Sequence, residues 1–232
     1  MGEVMEEHIV IGIEGLVGSG KTSMCRELLN RKENAVLLHG GNLYRTIVYA
    51  LLKEEPNIHK LKKKMKNIDI KECMDDNKIE IKIENRETVF YIDGVLADEE
   101  ALQSKASSMA VSIIGGTADN TKLFEFAREY INDLKKDNDV ILSGRAIMQI
   151  YPEVNYHIFV KASLKERVKR KTMQYSGKEE IKGVRKNIIL RDVLQKMAGF
   201  YKIYKNTIVL DVTDCKSVSE STDKLEKLID KK

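Results

Sequence analysis

The chain has few of the features that mark secreted, membrane or disulfide-bonded proteins. Its 232 residues include only three cysteines, and Cys25, Cys73 and Cys215 lie far apart. An odd number of widely spaced cysteines argues against a disulfide framework or a zinc site and favours reduced thiols. No apolar run approaches the roughly 20 residues that a bilayer-spanning helix needs. The acidic segment 1–10 lacks the basic-then-apolar order of a signal peptide, so we expect a cytoplasmic protein.

The charge balance is too even to imply a polyanionic partner. Lys and Arg number 40 and Asp and Glu 36, which gives a formal net charge of +4. The very basic segment 59–71 carries no interleaved aromatic residue on which bases could stack. We interpret this segment as a solvated helix face rather than a nucleic-acid patch. We therefore expect neither nucleic acid nor a membrane as a partner, and we expect a monomer.

A glycine-rich loop between a predicted strand and a predicted helix carries the most informative motif. The sequence GLVGSGKT at residues 15–22 is a P-loop. It follows the β-branched apolar run 8–14 and precedes the segment 21–31, whose apolar residues have helical spacing. The glycines would let the backbone approach a phosphate, and the amide N–H groups of residues 17–22 would point at its oxygens. The alternative is a glycine-rich turn without a ligand.

The motif also predicts which groups hold a nucleoside triphosphate. Lys21 would reach the β- and γ-phosphates, and the Thr22 hydroxyl would ligate Mg²⁺. The residues that we predict to bind this cofactor are Gly15, Gly18, Ser19, Gly20, Lys21, Thr22 and Ser23.

Short apolar strands alternate with helical segments along most of the chain. Buried strands are predicted at residues 8–14, 35–38, 140–144, 156–162 and 207–213. The segment 78–94 instead alternates apolar and charged residues, which predicts an antiparallel hairpin with one solvated face. Five buried strands separated by helices predict an α/β fold with a five-stranded parallel sheet and helices on both faces.

This pattern also predicts a division of the chain. A P-loop core would comprise residues 1–56 and 106–232, because the strand and helix alternation runs through both. The antiparallel piece would belong to an inserted, acceptor-binding subdomain at residues 57–105. A charged, helical stretch at about 163–202 would form a lid.

Four segments, taken in order, resemble the bacterial cytidylate kinase family. They are IGIEGLVGSGKTS at residues 11–23, HGGNLYR at 39–45, ASSMA at 106–110 and the stretch from VILSGRA to VKRK at 140–171. The P-loop alone is generic, but the ordered set is far more specific and covers nearly the whole chain. The resemblance implies a P-loop kinase that transfers the γ-phosphoryl group of ATP, with Mg²⁺, to CMP or dCMP.

The resemblance also implies positions for the substrate and for catalysis. Residues implied to contact the acceptor are His39, Tyr44, Arg45, Ser107, Lys122, Arg145 and Arg191. Residues implied to act in phosphoryl transfer are Lys21, Arg145, Arg167 and Arg191, and Arg170 would lie beside them near the lid. Other roles stay open for several of these residues. Arg167 and Arg170 suit a solvated basic helix face, Tyr44 suits a core position, and His39 suits a turn cap or no role at all.

Four positions depart from this family at places where it carries an acid. They are His39, Ser143, Ala146 and Gln195. Because a carboxylate accepts well from the cytosine amine, these changes weaken the expectation of selectivity for CMP. The change at Ser143 also removes an acid that would hold the Mg²⁺ hydration shell, and Glu14, which ends the first strand, is a candidate substitute.

Two further functions therefore stay open beside transfer to CMP. One is a kinase of the same fold that acts on a different phosphorylated small molecule. The other is a nucleotide-binding module without transfer activity. The retained arginine set argues against the second, since a module that only binds ATP has no need for it.

Overall fold

A single mixed sheet forms the centre of the molecule. The computed structural model describes residues 8–97, 102, 114, 119–175 and 180–230. The strands in these ranges are β1 (Val10–Gly15), β2 (Ala35–His39), β3 (Ile79–Glu84), β4 (Glu87–Ile92), β5 (Val95–Leu96), β6 (Asp139–Ser143), β7 (Tyr156–Lys161) and β8 (Ile208–Asp211). They lie in the order β3-β4-β2-β6-β1-β7-β8, with β5 beside β4.

Five of these strands form the parallel part of the sheet, and four of them are buried over most of their length. The fifth, β8, is predicted from the sequence to be buried, but it lies at the sheet edge and buries only Leu210. Strands β2, β6, β1, β7 and β8 pair in parallel, and the register sets Ile13 of β1 beside Ser143 of β6 and His39 of β2 beside Ser143. Parallel strands need crossover connections, and each crossover carries a helix onto a face of the sheet. The predicted five-stranded parallel arrangement is confirmed.

The described helices cover both faces of the sheet. They are α1 (Lys21–Arg31), α2 (Gly40–Glu54), α3 (Ile58–Lys66), α4 (Ile70–Asp76), α5 (Thr121–Lys135), α6 (Ile147–Ile150), α7 (Leu164–Gln174), α8 (Ile181–Met197) and α9 (Val218–Ile229). Helices α1 and α9 pack on the face that carries Ile11 and Ile13, and α5 and α6 pack on the face that carries Val10. The predicted α/β class with helices on both faces is confirmed.

The predicted hairpin is present and extends the sheet at one edge. Strands β3 and β4 pair antiparallel from Ile79↔Ile92 to Glu84↔Glu87. Strand β4 also lies parallel to β2 through the pair Leu37↔Glu87. Helices α2, α3 and α4 share a core with Ile79 and Phe90 of this hairpin. The division into a core, an insert and a lid stays a prediction, and Ser107 lies outside the described residues.

None of the helices within the described ranges has the length and apolar character that crossing a bilayer requires.

Candidate active site

The glycine-rich loop leaves the carboxyl end of β1 and enters α1. Gly18 and Gly20 have φ values of +77° and +92°, which L side chains rarely adopt. A Cβ atom at Gly15 would lie 2.5 Å from the carbonyl oxygen of Val160. Glycine is therefore required at these positions, because the loop turns tightly and its first residue packs directly against the backbone of β7.

The backbone amides of the loop do not all face the same way. The N–H of Val17 donates to Asp192 Oδ1 at 3.2 Å, and the N–H of Ser19 donates to the carbonyl of Leu16 at 3.1 Å. The expectation that every amide from 17 to 22 faces a phosphate is corrected at these two residues. These two amides already donate to protein oxygens. Asp192 of α8 accepts from Val17, and the loop folds back so that Leu16 accepts from Ser19.

Lys21 is held over the carboxyl edge of the sheet by the neighbouring strand. Its Nζ donates to Ser143 Oγ at 2.6 Å. Burial lowers the pKa of Lys21, and the nearby charges of Arg145 and Arg45 act in the same direction. An ammonium group that is poorly solvated and surrounded by cations gains much from an anion, so its position suits the phosphates of a nucleotide.

A cavity of about 870 Å³ extends along this edge from the P-loop to α2 and α5. Nine lysine and arginine residues lie in the described part of its wall, namely Lys21, Arg26, Arg45, Arg145, Lys169, Arg170, Lys171, Arg191 and Lys216. The described wall has one carboxylate, Glu166, and that group accepts from Arg170 Nε at 3.2 Å. Carboxyl edges of parallel sheets are the usual ligand sites in such folds. The cavity therefore suits a ligand with several negative charges.

Two guanidinium groups lie beyond Lys21 in this cavity. Arg145 follows β6 directly, and Arg191 comes from the middle of α8. Burial lowers the pKa of Arg145. The nearby charge of Arg191 acts in the same direction, whereas Tyr201 and Asp192 raise this pKa. Neither guanidinium donates a hydrogen bond to a residue within the described ranges, so both have donors to offer a phosphate.

The end of the cavity near α2 and α5 is largely apolar. Its described wall includes Leu43, Leu123, Phe124, Ala127, Ile131 and Ile150. The hydroxyl of Tyr44 donates to Asn120 Oδ1 at 3.0 Å, and burial raises the pKa of Tyr44. Arg45 also lines this end. No local pattern in the sequence indicates the contact between Tyr44 and Asn120, since these residues lie 76 positions apart.

Three predicted site residues lie away from the cavity wall. Lys122 is exposed and pairs with Glu125 at 3.0 Å. The Glu14 carboxylate is buried on the α6 side of β1, where Oε1 accepts from the N–H of Ile147 at 2.5 Å. Arg167 donates to the carbonyls of Ala162 and Val17 and to Asp192. The structure thus separates these three side chains from the ligand space, and their predicted roles stay predictions.

Arg167 and Arg170 brace the P-loop from the side of α7. Arg167 Nη1 lies 3.0 Å from the carbonyl of Val17 and 2.5 Å from Asp192 Oδ2. Arg170 Nη1 lies 3.0 Å from the carbonyl of Ser19, and its Nη2 lies 2.9 Å from that of Val212. The alternative of a solvated basic face therefore does not describe these two side chains, because both bond to backbone carbonyls.

The position of His39 is fixed by the hairpin. Its Nε2 lies 2.8 Å from Glu87 Oε2, and its backbone N–H donates to Thr88 Oγ1 at 3.0 Å. Arg26 Nε donates to both oxygens of Glu87, at 3.1 and 3.0 Å. His39 and Arg26 line the cavity, while Glu87 supports them from behind. Glu87 could not be identified from sequence patterns, since its partners His39 and Arg26 lie 48 and 61 residues away.

The described residues offer a restricted set of ligands for a divalent cation. Among them, no cluster of three or more His, Cys, Asp or Glu side chains could hold a metal. Thr22 lies in the first turn of α1 and lines the cavity. One hydroxyl fits Mg²⁺ in a nucleotide site, because that ion keeps several waters and takes its other ligands from phosphates.

A P-loop at the carboxyl edge of a parallel sheet, facing a cavity rich in cations, is typical of proteins that bind a nucleoside triphosphate. The family model described as cytidylate kinase matches residues 11–231. The chain belongs to the cytidylate kinase family.

Individual relatives agree with this assignment. A cytidylate kinase from Aquifex aeolicus (strain VF5) is 28% identical over 235 residues, which cover 94% of this chain and 95% of that protein. A bifunctional pantoate ligase/cytidylate kinase from Prochlorococcus marinus (strain MIT 9312) is 26% identical over 230 residues, which cover 96% of this chain but only 43% of that protein. The chain therefore spans less than half of that bifunctional relative.

A solved structure supports the fold alone. An uncharacterized protein from Eubacterium ventriosum ATCC 27560 superposes with a TM-score of 0.51 and 15% sequence identity, covering 97% of this chain and 100% of that one.

Proposed function

We propose that this protein transfers the γ-phosphoryl group of ATP, with Mg²⁺, to the phosphate of a nucleoside monophosphate, with CMP or dCMP as the first acceptors to test. The observation that supports this most is the charge of the cavity wall, which has nine cationic side chains and one carboxylate in its described part. A triphosphate and a monophosphate brought together need this compensation, because phosphoryl transfer depends on positioning and on neutralising charge.

The described side chains divide this work along the cavity. Lys21 and the loop amides would hold the β- and γ-phosphates, and Thr22 would hold Mg²⁺, which neutralises charge on the phosphate oxygens when bound. Arg145 and Arg191 would hold the acceptor phosphate, since both guanidiniums line the cavity beyond Lys21. The apolar end with Tyr44 and Asn120 would take the base or another flat group.

The residues of the cavity wall also support a proposal of weak selection among acceptors. The four residues that stand where the family carries an acid all line the cavity, namely His39, Ser143, Ala146 and Gln195. A charged hydrogen bond is worth about 1.5–3 kcal/mol, so two lost bonds would cost about a hundredfold in kcat/KM or more. A different phosphorylated acceptor is therefore the second candidate.

The test is kcat/KM for CMP, dCMP, UMP, AMP and GMP, then for a panel of phosphorylated metabolites, at fixed ATP and Mg²⁺. We expect turnover with modest discrimination among the bases. ATP binding in calorimetry without turnover of any acceptor would instead indicate a nucleotide-binding module. High efficiency for CMP, with the other bases rejected by orders of magnitude, would show that residues such as Asn120 have taken over base recognition.

A further inference from the structure

The pair formed by His39 and Glu87 is held more firmly than a surface contact. Oε2 of Glu87 lies 2.8 Å from His39 Nε2 and also accepts from Arg26 Nε at 3.0 Å. The His39 side chain is 9% exposed and the Glu87 side chain 23%. Thr88, the residue after Glu87, accepts from the backbone N–H of His39. Strand β4 thus holds the backbone of His39 through Thr88 and its imidazole through Glu87.

This imidazole lies next to the P-loop lysine. His39 is the last residue of β2 and pairs in register with Ser143 of β6, whose hydroxyl accepts from Lys21 Nζ at 2.6 Å. Neighbouring strands are about 4.8 Å apart, and residues in register share a face. The backbone of His39 therefore lies about one strand spacing from that of Ser143, and both residues line the cavity together with Lys21.

The hydrogen bond to Glu87 also sets the tautomer that this geometry favours. With Nε2 donating its proton to the carboxylate, Nδ1 carries the lone pair. Burial lowers the pKa of His39; Arg26 and Lys21 of α1 act in the same direction, and Glu87 of β4 opposes them. Ser143 of β6, which pairs in register with His39, carries no charge near pH 7. The ring is thus neutral near pH 7 and able to accept a proton.

A base of this kind has no task when the acceptor is a phosphate. A phosphate oxygen is already ionised at neutral pH, whereas a hydroxyl must lose a proton as it attacks phosphorus. An imidazole oriented by a carboxylate is a common arrangement for removing that proton. The pair therefore supplies what transfer to a hydroxyl needs and what transfer to a monophosphate does not.

We propose that His39, positioned by Glu87, equips this cavity for a second class of acceptor, a hydroxyl group of a small alcohol or of water. The inference rests on the proposed function only for ATP at the P-loop. The hydroxyl oxygen forms a bond to the γ-phosphorus, and the bond from that phosphorus to the bridging oxygen breaks, so that ADP leaves with the electron pair. The hydroxyl proton moves to His39 Nδ1 and then to solvent. The product is a phosphate monoester, or inorganic phosphate when water is the acceptor.

The experiment measures ADP release by the whole chain with ATP and Mg²⁺ in three cases: no added acceptor, glycerol and cytidine. Phosphorus NMR identifies inorganic phosphate or a monoester. We expect wild-type turnover in at least one case and a loss of about 10²–10⁴-fold in His39→Asn, the range for a general base. The acid limb of the pH profile should disappear in His39→Asn. It should move to lower pH in Glu87→Gln, because Glu87 raises the pKa of His39.

A matched control separates this role from support of the hairpin. Tyr91→Phe removes the hydrogen bond from Tyr91 to Glu84 on the same hairpin, outside the cavity wall, and should leave both rate and pH profile unchanged. Equal losses in Tyr91→Phe and His39→Asn would overturn the proposal, as would a wild-type rate no higher than that of His39→Asn. ATP binding in calorimetry with transfer to CMP but no hydroxyl transfer would defeat this inference alone. No binding of ATP would defeat both.

Discussion

The carboxylate of Asp192 on α8 accepts a hydrogen bond from the backbone N–H of Val17 in the P-loop, at 3.2 Å. The same carboxylate pairs with Arg167 of α7, whose guanidinium also bonds to the carbonyl of Val17. Two helices of the predicted lid are thus joined to the phosphate loop through one partly buried ion pair. The loop's shape therefore depends on residues about 150 and 175 positions away in the sequence.

Replacing Asp192 with Ala should destabilise the protein markedly. It leaves Arg167, whose side chain is 8% exposed, as a buried charge without its carboxylate. Breaking such a pair costs about 3–5 kcal/mol, and for a chain of this size the melting temperature should fall by about 2–4 °C per kcal/mol. Glu153→Ala removes a carboxylate from a surface pair with Arg128 and should cost less than about 1 kcal/mol. Equal shifts in thermal melts of the two variants would contradict this.

Removing the hydroxyl that holds Lys21 should impair nucleotide use without unfolding the chain. Ser143→Ala deletes the acceptor at 2.6 Å from Lys21 Nζ. A hydrogen bond from a charged group is worth about 1.5–3 kcal/mol, or roughly 10- to 150-fold in kcat/KM for ATP. Lys21→Ala should abolish turnover, because the charge itself is lost. Steady-state kinetics at saturating acceptor measure both, and full activity in Lys21→Ala would show that the P-loop has another role.

Substituting Lys for Arg145 should separate acceptor binding from nucleotide binding. A guanidinium grips phosphate through two parallel hydrogen bonds, which an ammonium cannot reproduce. We expect the acceptor's KM to rise, or kcat/KM to fall, by tenfold or more while ATP affinity in calorimetry stays nearly constant. Lost ATP affinity with an unchanged acceptor KM would place Arg145 at the nucleotide instead.

Two glycines should respond in opposite ways to alanine. At Gly15 the new Cβ would lie 2.5 Å from the backbone oxygen of Val160, which cannot move without shifting β7. Overpacking of this kind costs about 1–3 kcal/mol. Gly183 lies exposed within α8, and no atom lies within 4 Å of the added Cβ. Gly183→Ala should therefore stabilise by roughly 0.5–1 kcal/mol. Urea titrations of both variants give the comparison.

The predicted lid should become less dynamic when ligands bind. Helices α7 and α8 contribute Arg170 and Arg191 to the cavity wall, so bound phosphates would add contacts to both helices. Amide hydrogen exchange at residues 164–174 and 181–197 should slow when ATP and an acceptor are present together. The buried strand β1 serves as the internal reference and should change little. Unaltered exchange at saturating ligand would argue against a lid.

The sequence by itself determined the elements and the phosphate loop. Strands β1, β2, β6 and β7 each carry a short apolar run, and their burial follows from that local pattern. Gly18 and Gly20 set the turns of the P-loop because their positive φ values disfavour any side chain. Such features depend on neighbouring residues along the chain, which is why they are visible without a structure.

Only the tertiary structure decided which polar side chains meet. Arg167 matched a family position near the transferring group, yet its guanidinium bonds to Val17 and Asp192 behind the loop. Glu14 lies next to the carboxyl end of β1, close to the predicted position. However, strand residues alternate between faces, and its carboxylate lies on the α6 side, where it accepts from the N–H of Ile147. Glu87 gained its partners His39 and Arg26 because β4 pairs with β2. Contacts between residues so distant in the chain arise from packing, which no local pattern encodes.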